Sequence, residues 1–386
     1  MDGEATNCVI FVSDALRWDH LPEEVADGGV ALKSVAASVN TATSFPSMIS
    51  GLNPINTGVN SFEQRIPSEL DTLFDFEGYD VGFQNAAGPD DGLNSVLRRD
   101  EMTELSKLEP PFIYLERDHG GHHPYRGAGY ERSLAEFRRE FAGDTERVQE
   151  MYDRAVTASE QRFRDRLATL SERGLLEDTL VVFTSDHGEL LGEHGHVGHL
   201  APVHPQLVYV PTVFHHPGLP EDVDRPFMGH VDLLPTVRSY LGVDTPSVAD
   251  GVDVFGSEPM TPRVNYALES LYVRGRRVEK YEATSLWDGD GGHVFSSTGL
   301  PKWLVSVAYL LAGSKWPSRH VRRNLSKFPS AARGYLASLS EFGTPGFDSE
   351  QAREQIAAAD REEVGAVETV KLDDTVEENL RQLGYR

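Results

Sequence analysis

The sequence is short of cysteine, of basic side chains and of long apolar runs. A single cysteine, Cys8, stands inside an apolar stretch. No disulfide framework is therefore open to the fold, and Cys8 reads as a small core residue. Lysine and arginine together number 36 against 61 aspartates and glutamates, a net charge of −25. A nucleic-acid binder needs cationic surface to displace counterions, so this deficit argues against that class. The same acid-rich surface suits high ionic strength, where salt screens self-repulsion, and predicts a halophilic source. No run of 18 or more apolar residues occurs, so nothing is expected to span a membrane. The opening residues, Met-Asp-Gly-Glu-Ala-Thr, lack the basic region of a secretory signal, which predicts a cytoplasmic protein.

What is present is a long alternation of strands and helices. Val9–Ser13, Val81–Phe83, Pro111–Leu115 and Leu180–Phe183 read as apolar strands. Leu207–Phe214 reads as another, with Pro211 suiting an edge or a bulge. Leu70–Glu77, Glu131–Arg173 and His230–Leu241 read as helices. This pattern predicts an α/β fold with a mostly parallel central sheet flanked by helices on both faces. The texture changes near Pro259, so the expected division is a catalytic domain over 1–258 and a smaller α+β region over 259–386, with strands in Asn265–Lys280 and an acidic helical tail.

Three strands end in ionisable groups: Asp14, the run Asp118 to His122, and Asp186-His187. Eleven of the 14 histidines lie between His119 and His230. An acidic solvated surface does not require that clustering, and carboxylate oxygen with imidazole nitrogen is a metal-ligand set. Ser44-Phe45-Pro46-Ser47 precedes a small-residue helix. Proline is favoured in a first helical turn, which places Ser44 at a helix N-terminus as a nucleophile candidate.

These segments resemble the sulfatase branch of the alkaline phosphatase superfamily. Asn7–His20 is similar to its opening strand, and Thr184–Gly195 (Thr-Ser-Asp-His-Gly-Glu-Leu-Leu-Gly-Glu-His-Gly) to its second metal motif. Ser44-Phe45-Pro46-Ser47 with Ser50-Gly51-Leu52-Asn53-Pro54 sits where the family keeps its nucleophile, and His230–Thr236 also matches. The resemblance implies that Asp14, Asp186 and His187 hold a divalent ion with Ser44 bridging as nucleophile. Arg17 would lie near the bound anion. His122 and His199 would face substrate, or Asp118, His122, His199 and His204 would complete a second metal site. Two ions imply zinc or manganese; one implies calcium or magnesium. Family members with formylglycine carry an arginine where Met48 stands, which argues against formylglycine here.

The expected activity is metal-dependent hydrolysis of an ester, phosphate mono- or diester ahead of sulfate ester, on a small-molecule, lipid or glycan substrate. The alternatives are transfer of a phospho-alcohol headgroup near a membrane, or ordinary sulfuric ester hydrolysis. One window stands apart. From Gly291 to Ser340 there is no acidic residue, while Lys302, Lys315, Arg319, Arg322, Arg323, Lys327 and Arg333 surround an apolar run, Trp303–Ala312, and Trp316. It reads as a core helix with a basic flank or as a peripheral membrane contact through 302–333. The sequence leaves the oligomeric state open.

Overall fold

The computed structural model describes residues 4–383, apart from 221–222, 224, 274–275, 298, 314 and 362–364. Its centre is strand β1 (Asn7–Ser13), buried along its whole length. Side chains alternate across a strand, so β1 feeds two cores. Cys8, Ile10 and Val12 face one layer, where they join Phe45, Met48, Ile49, Leu234 and Val237. Val9 and Phe11 face the other, with Val148, Tyr152, Ala155 and Phe163. An uninterrupted apolar strand is what burial on both faces demands.

The central sheet has seven strands. Besides β1 they are β2 (Val30–Val35), β3 (Asp80–Asn85), β4 (Phe112–Asp118), β5 (Thr179–Thr184), β6 (Tyr209–His215) and β7 (Met228–Gly229). Their order is β7-β2-β6-β5-β1-β4-β3. The β7–β2, β5–β1, β1–β4 and β4–β3 pairs are parallel; β6 runs antiparallel to both β2 and β5. The sheet is mostly parallel, with helices on both faces. Strand β6 is interior, not an edge. Its proline is tolerated because Pro211 lies one position beyond the last β5 pair, Thr184↔Thr212, where that ladder has ended.

Two helical expectations change. Leu70–Glu77 forms turns, not a helix. Asp75 accepts from both the Thr72 amide (2.9 Å) and the Thr72 hydroxyl (2.6 Å), a local turn that competes with helical bonding. The long periodic stretch is two helices, Leu134–Glu140 and Thr145–Glu172. Gly143, at φ +86°, breaks the path, and Asp144 caps the second helix by accepting from the Arg147 amide.

Beyond Pro259 lies a four-stranded antiparallel sheet of β8 (Arg263–Val273), β9 (Arg276–Trp287), β10 (Gly291–Ser296) and β11 (Leu339–Gly343). It is tied to the first sheet at one place that matters. Asn265 donates its side-chain amide to the Ala36 carbonyl (2.8 Å), and the Tyr266 amide donates to the Ala37 carbonyl (2.9 Å). Buried Arg263 grips Asp232 with two hydrogen bonds, 2.9 and 2.7 Å. The small sheet thus braces the segment that follows β2. Among the described residues, no helix is long and apolar enough to cross a membrane.

Candidate active site

Three chain segments converge where β1, β4 and β5 end. Asp14 follows β1 directly, and the chain turns at Ala15 with φ +60°. The Asp14 backbone is pressed against Gly120, where a Cβ would come within 2.1 Å of the Asp14 carbonyl oxygen. Only glycine fits there, also at positive φ. Asp186 and His187 follow β5. Helix α1 (Thr41–Ser50) points its N-terminus at them.

The start of α1 is set by Asn40. Its side chain accepts from the Ala42 amide at 2.9 Å, the usual role of a capping asparagine. Pro46 lies within the helix rather than at its first position. The residue presented at the N-terminus is therefore Thr41, not Ser44. Thr41 Oγ1 lies 3.3 Å from His187 Nε2. Ser44, a turn further in, donates its hydroxyl to the Ser38 carbonyl (3.0 Å) and accepts from the Ser38 amide (3.1 Å). It locks the loop before the helix.

Asp14, Asp186 and His187 are fully buried, and one ligand atom from each lies within 4.8 Å of the others. Asp186 Oδ1 accepts from the amides of Ala15 (3.2 Å) and His187 (3.0 Å). Asp14 Oδ1 and Asp186 Oδ2 are buried without a hydrogen-bond partner. Such orphan carboxylate oxygens are costly unless something cationic meets them. The His187 Nδ1–H donates to the Gly188 carbonyl (3.0 Å), so Nε2 is the nitrogen turned to the two carboxylates. Burial, the Asp186 charge and Glu189 push Asp14 well above the usual carboxylate range despite Arg117. Burial also acts on Asp186, but His187, Arg117 and Thr41 more than offset it, and Asp186 is held low. Two buried carboxylates this close keep a proton between them or share a cation. The donor set fits a divalent ion.

Sequence reasoning passed over two residues here. Arg117 donates to Asp14 Oδ2 through Nε (3.1 Å) and Nη2, and reaches Asp91 with Nη1 (3.2 Å). The charged triplet Glu116-Arg117-Asp118 inside an otherwise apolar strand was the available signal. Glu189 is buried, meets His123 Nδ1 at 2.9 Å and is pushed up to about 8 by burial.

Of the other expected residues, His122 and His199 join the cluster. Their Nε2 atoms are 3.3 Å apart, and the His199 ring stacks on His187 at 4.4 Å. The Val39 carbonyl accepts from His199 Nδ1 (2.9 Å), which leaves His199 Nε2 to accept a proton carried on His122 Nε2. Burial, reinforced by neighbouring histidines, holds both well below the usual imidazole value; they are neutral.

Three residues are placed elsewhere. Asp118 is taken by Arg162, through Nε and Nη2 (2.8 Å), and by the Gly120 amide (2.9 Å). Arg17 is committed to Asp19 and Glu193, each at 2.6 Å. The His204 ring stacks on His194 at 4.3 Å and meets Phe342 at 5.3 Å. Arg162 claims Asp118, and Asp19 and Glu193 claim Arg17, whereas the His204 ring is held by packing alone, its nitrogens buried without hydrogen-bond partners. A second metal site built from Asp118, His122, His199 and His204 is not assembled.

A mostly parallel α/β sheet whose strand ends present buried Asp, Asp and His beside a helix N-terminus defines the class, an ester-processing enzyme of the alkaline phosphatase type. Residues 99–243 match the Sulfatase family. The chain is 33% identical over 396 residues to the low-salt glycan biosynthesis sulfotransferase Agl7 of Haloferax volcanii, covering 98% of this chain and 96% of that one. Among solved structures, a sulfatase-type protein from Bacteroides thetaiotaomicron superposes with a TM-score of 0.60 at 16% identity, over 76% of this chain and 83% of that one. The phosphonate monoester hydrolase of Agrobacterium radiobacter superposes with a TM-score of 0.58 at 15% identity, over 85% and 96%. These structures show the shared fold. The chain belongs to the sulfatase family of the alkaline phosphatase superfamily.

Proposed function

We propose that the chain transfers a sulfuryl group from a sulfate ester, through Thr41, to an acceptor hydroxyl on a glycan or to water. The observation that carries this reading is the Thr41 hydroxyl held 3.3 Å from His187 Nε2 at the N-terminus of α1. Backbone N–H groups and the helix dipole there favour an alkoxide and the equatorial oxygens of an in-line displacement. A divalent ion held by Asp14, Asp186 and His187 would lower the pKa of the attacking hydroxyl and polarise the ester.

The balance is simple. Thr41 Oγ bonds to sulfur, the bond from sulfur to the ester oxygen breaks, and the Thr41 proton ends on the departing alcohol. The His122–His199 pair lies beside this point and could take up the Thr41 proton and return it, from the imidazolium so formed, to the leaving oxygen. In the second half, an acceptor oxygen bonds to sulfur, Thr41 is released, and the acceptor's proton returns to the site.

Threonine is neither the cysteine nor the serine from which formylglycine is made. A sulfated threonine cannot expel sulfate by collapsing to an aldehyde. It must wait for an external oxygen, which favours transfer to a bound acceptor. Sulfate moves ahead of phosphate because the relative spanning the whole chain is named for sulfate transfer. The test offers aryl sulfate, aryl phosphate and bis-aryl phosphate with Mg²⁺, Ca²⁺, Mn²⁺ or Zn²⁺, in low and high salt. Mass spectrometry of the quenched protein should find one SO₃ on the peptide bearing Thr41. Phosphate turnover without sulfate turnover would overturn the choice of sulfur, and a label on Ser44 the choice of nucleophile.

A further inference from the structure

Helix Leu300–Ala312 carries apolar side chains on both of its sides, but the protein covers only one. On the inner side Ser306, Tyr309 and Leu310 are buried. Ser306 donates its hydroxyl to the Lys280 carbonyl of β9 (3.0 Å), and Leu310 joins a core with Val321, Ala331 and Tyr335. On the outer side Leu304, Ala308 and Leu311 follow one another at intervals of four and three, a single helical stripe. That stripe faces solvent, Leu304 at 52% and Leu311 at 43% exposure. A helix that is apolar all round ordinarily lies inside a core. Here half of that surface stands uncovered by any described residue.

The stripe belongs to a larger patch. Helices Trp316–Arg323 and Phe328–Gly334 pack with it, Ser318 donating to the Tyr309 carbonyl (2.6 Å) and Trp303 Nε1 to the Ala332 carbonyl (3.3 Å). Among the described residues, six large apolar side chains are exposed. Five of them are Leu304, Leu311, Leu325, Leu336 and Leu339; the sixth is Val248.

The charge around these leucines is of one sign. At the start of the first helix, Lys302 is neutralised by Glu279 (3.2 Å) and Glu282 (3.4 Å). Its other end differs. Arg322 donates to the carbonyls of Leu311 (3.2 Å) and Gly313 (2.8 Å), and Arg323 to the Ala142 carbonyl (2.8 Å). Those partners are neutral, so both guanidinium charges persist. Lys327 and Arg333 are exposed and form no ion pair with any described residue. No acidic residue occurs from Gly291 to Ser340 in a chain of net charge −25.

We infer that this face docks on an anionic lipid surface, with Leu304 and Leu311 at the boundary of headgroups and acyl chains and Arg322, Lys327 and Arg333 among the headgroups. Charge complementarity selects the occupant: anionic headgroups take the cations while the acyl boundary takes the leucines. A polyanion without an apolar phase would meet the arginines and leave the leucines in water. The first helix is about 20 Å long at 1.5 Å per residue, too short for about 30 Å of hydrocarbon. It therefore lies on the bilayer, its inner side still on the protein. The acidic remainder of the chain does not forbid this approach, because charges beyond about 8 Å are screened at physiological salt. Docking is independent of which ester reacts at Thr41.

The test is flotation of the full chain with vesicles of phosphatidylcholine alone or mixed with phosphatidylglycerol. It is run in about 0.15 M and about 1 M salt, over which the screening length falls from about 8 to about 3 Å. Wild-type protein should bind the mixed vesicles roughly tenfold or more above the neutral ones, with the preference shrinking in the higher salt. Leu304→Ser/Leu311→Ser should lose roughly tenfold in binding to the mixed vesicles. Arg322→Gln/Lys327→Gln/Arg333→Gln should bring binding down to the neutral-vesicle level. All five side chains are exposed, and circular dichroism checks each variant's fold; the charge variant carries the test alone if the serine variant does not fold. Absence of wild-type flotation with mixed vesicles, or wild-type flotation by the folded variants, overturns the docking. A wild-type dimer that does not float, and that Leu304→Ser/Leu311→Ser turns into a monomer, gives the face to a second copy of the chain and overturns it as well.

Discussion

Thr41 Oγ1 stands 3.3 Å from His187 Nε2, and the backbone on each side fixes that approach. Asn40 starts the helix that carries Thr41, and the Gly188 carbonyl sets the tautomer of His187. Thr41→Ala should lower sulfate-ester turnover by roughly three orders of magnitude, the scale on which a lost nucleophile acts. Ser44→Ala loses a bond to Ser38 and should cost about 1 kcal/mol of stability, with turnover reduced severalfold at most. Steady-state kinetics and thermal melts on both variants separate the two residues. Comparable kinetic losses would return Ser44 to the site.

The metal-type cluster was legible in the sequence because it needs no knowledge of long-range geometry. Asp14 and Asp186-His187 each terminate an apolar strand, and parallel strands in one sheet bring such ends to one edge. That Thr41, and not Ser44, heads the helix is not legible in the sequence for a local reason. Pro46 is compatible with a first helical turn, and Ser44 stands just before it, so the helix was begun there. Asn40 is the stronger start signal, because its side chain satisfies an amide that proline merely lacks. Asp118 and Arg17 carried plausible charges, but Arg162, which claims Asp118, and Glu193, which with neighbouring Asp19 claims Arg17, are distant in sequence.

His230 holds two loops of the site together. Its Nδ1 accepts from the Ala37 amide (3.1 Å) and its Nε2–H donates to the Ser185 carbonyl (2.8 Å). One loop leads to Thr41 and the other to Asp186. His230→Ala should cost about 2–4 kcal/mol, the scale for two buried bonds with their partners left unmet. Because His230 positions rather than reacts, kcat should fall while KM for the sulfate ester changes little. His230→Gln, which offers an acceptor and a donor on a similar reach, should recover part of kcat. A loss in stability with kcat unaltered would reduce His230 to a structural part alone.

Metal removal should be visible without an assay. A ligand present at about a hundredfold its Kd stabilises the folded state by about 2.7 kcal/mol. Exhaustive chelation should therefore lower Tm by a few degrees, and one divalent cation should restore it. In Asp186→Asn the amide oxygen can still accept from Ala15 and His187, while the repulsion against Asp14 is gone. That variant should melt no lower than the chelated wild type and show no response to added metal. A full metal response in Asp186→Asn would remove the carboxylate from the ligand set.

Acid should unfold the chain through buried histidines outside the Asp14, Asp186 and His187 cluster. Burial holds His196 and His204 at about 3 and His320 at about 4, against an ordinary 6.5. The unfolded chain takes up these protons below about 6.5, whereas the folded chain refuses them until about 3 to 4. Their stabilising effect is therefore complete above 6.5 and is lost as pH falls through that window. Two pH units below 6.5, each group costs about 2–3 kcal/mol, so the three together cost about 8 kcal/mol. That is comparable to the ~5–15 kcal/mol of a typical fold, so cooperative loss of structure is expected at or above pH 4.5. His204→Leu should lower the acid midpoint, because both ring nitrogens of His204 lack hydrogen-bond partners and the change removes a titrating group without breaking a bond. Circular dichroism across pH 7 to 4 reads the midpoint directly. A midpoint that rises in His204→Leu would show that its imidazole supplies packing worth more than its titration costs.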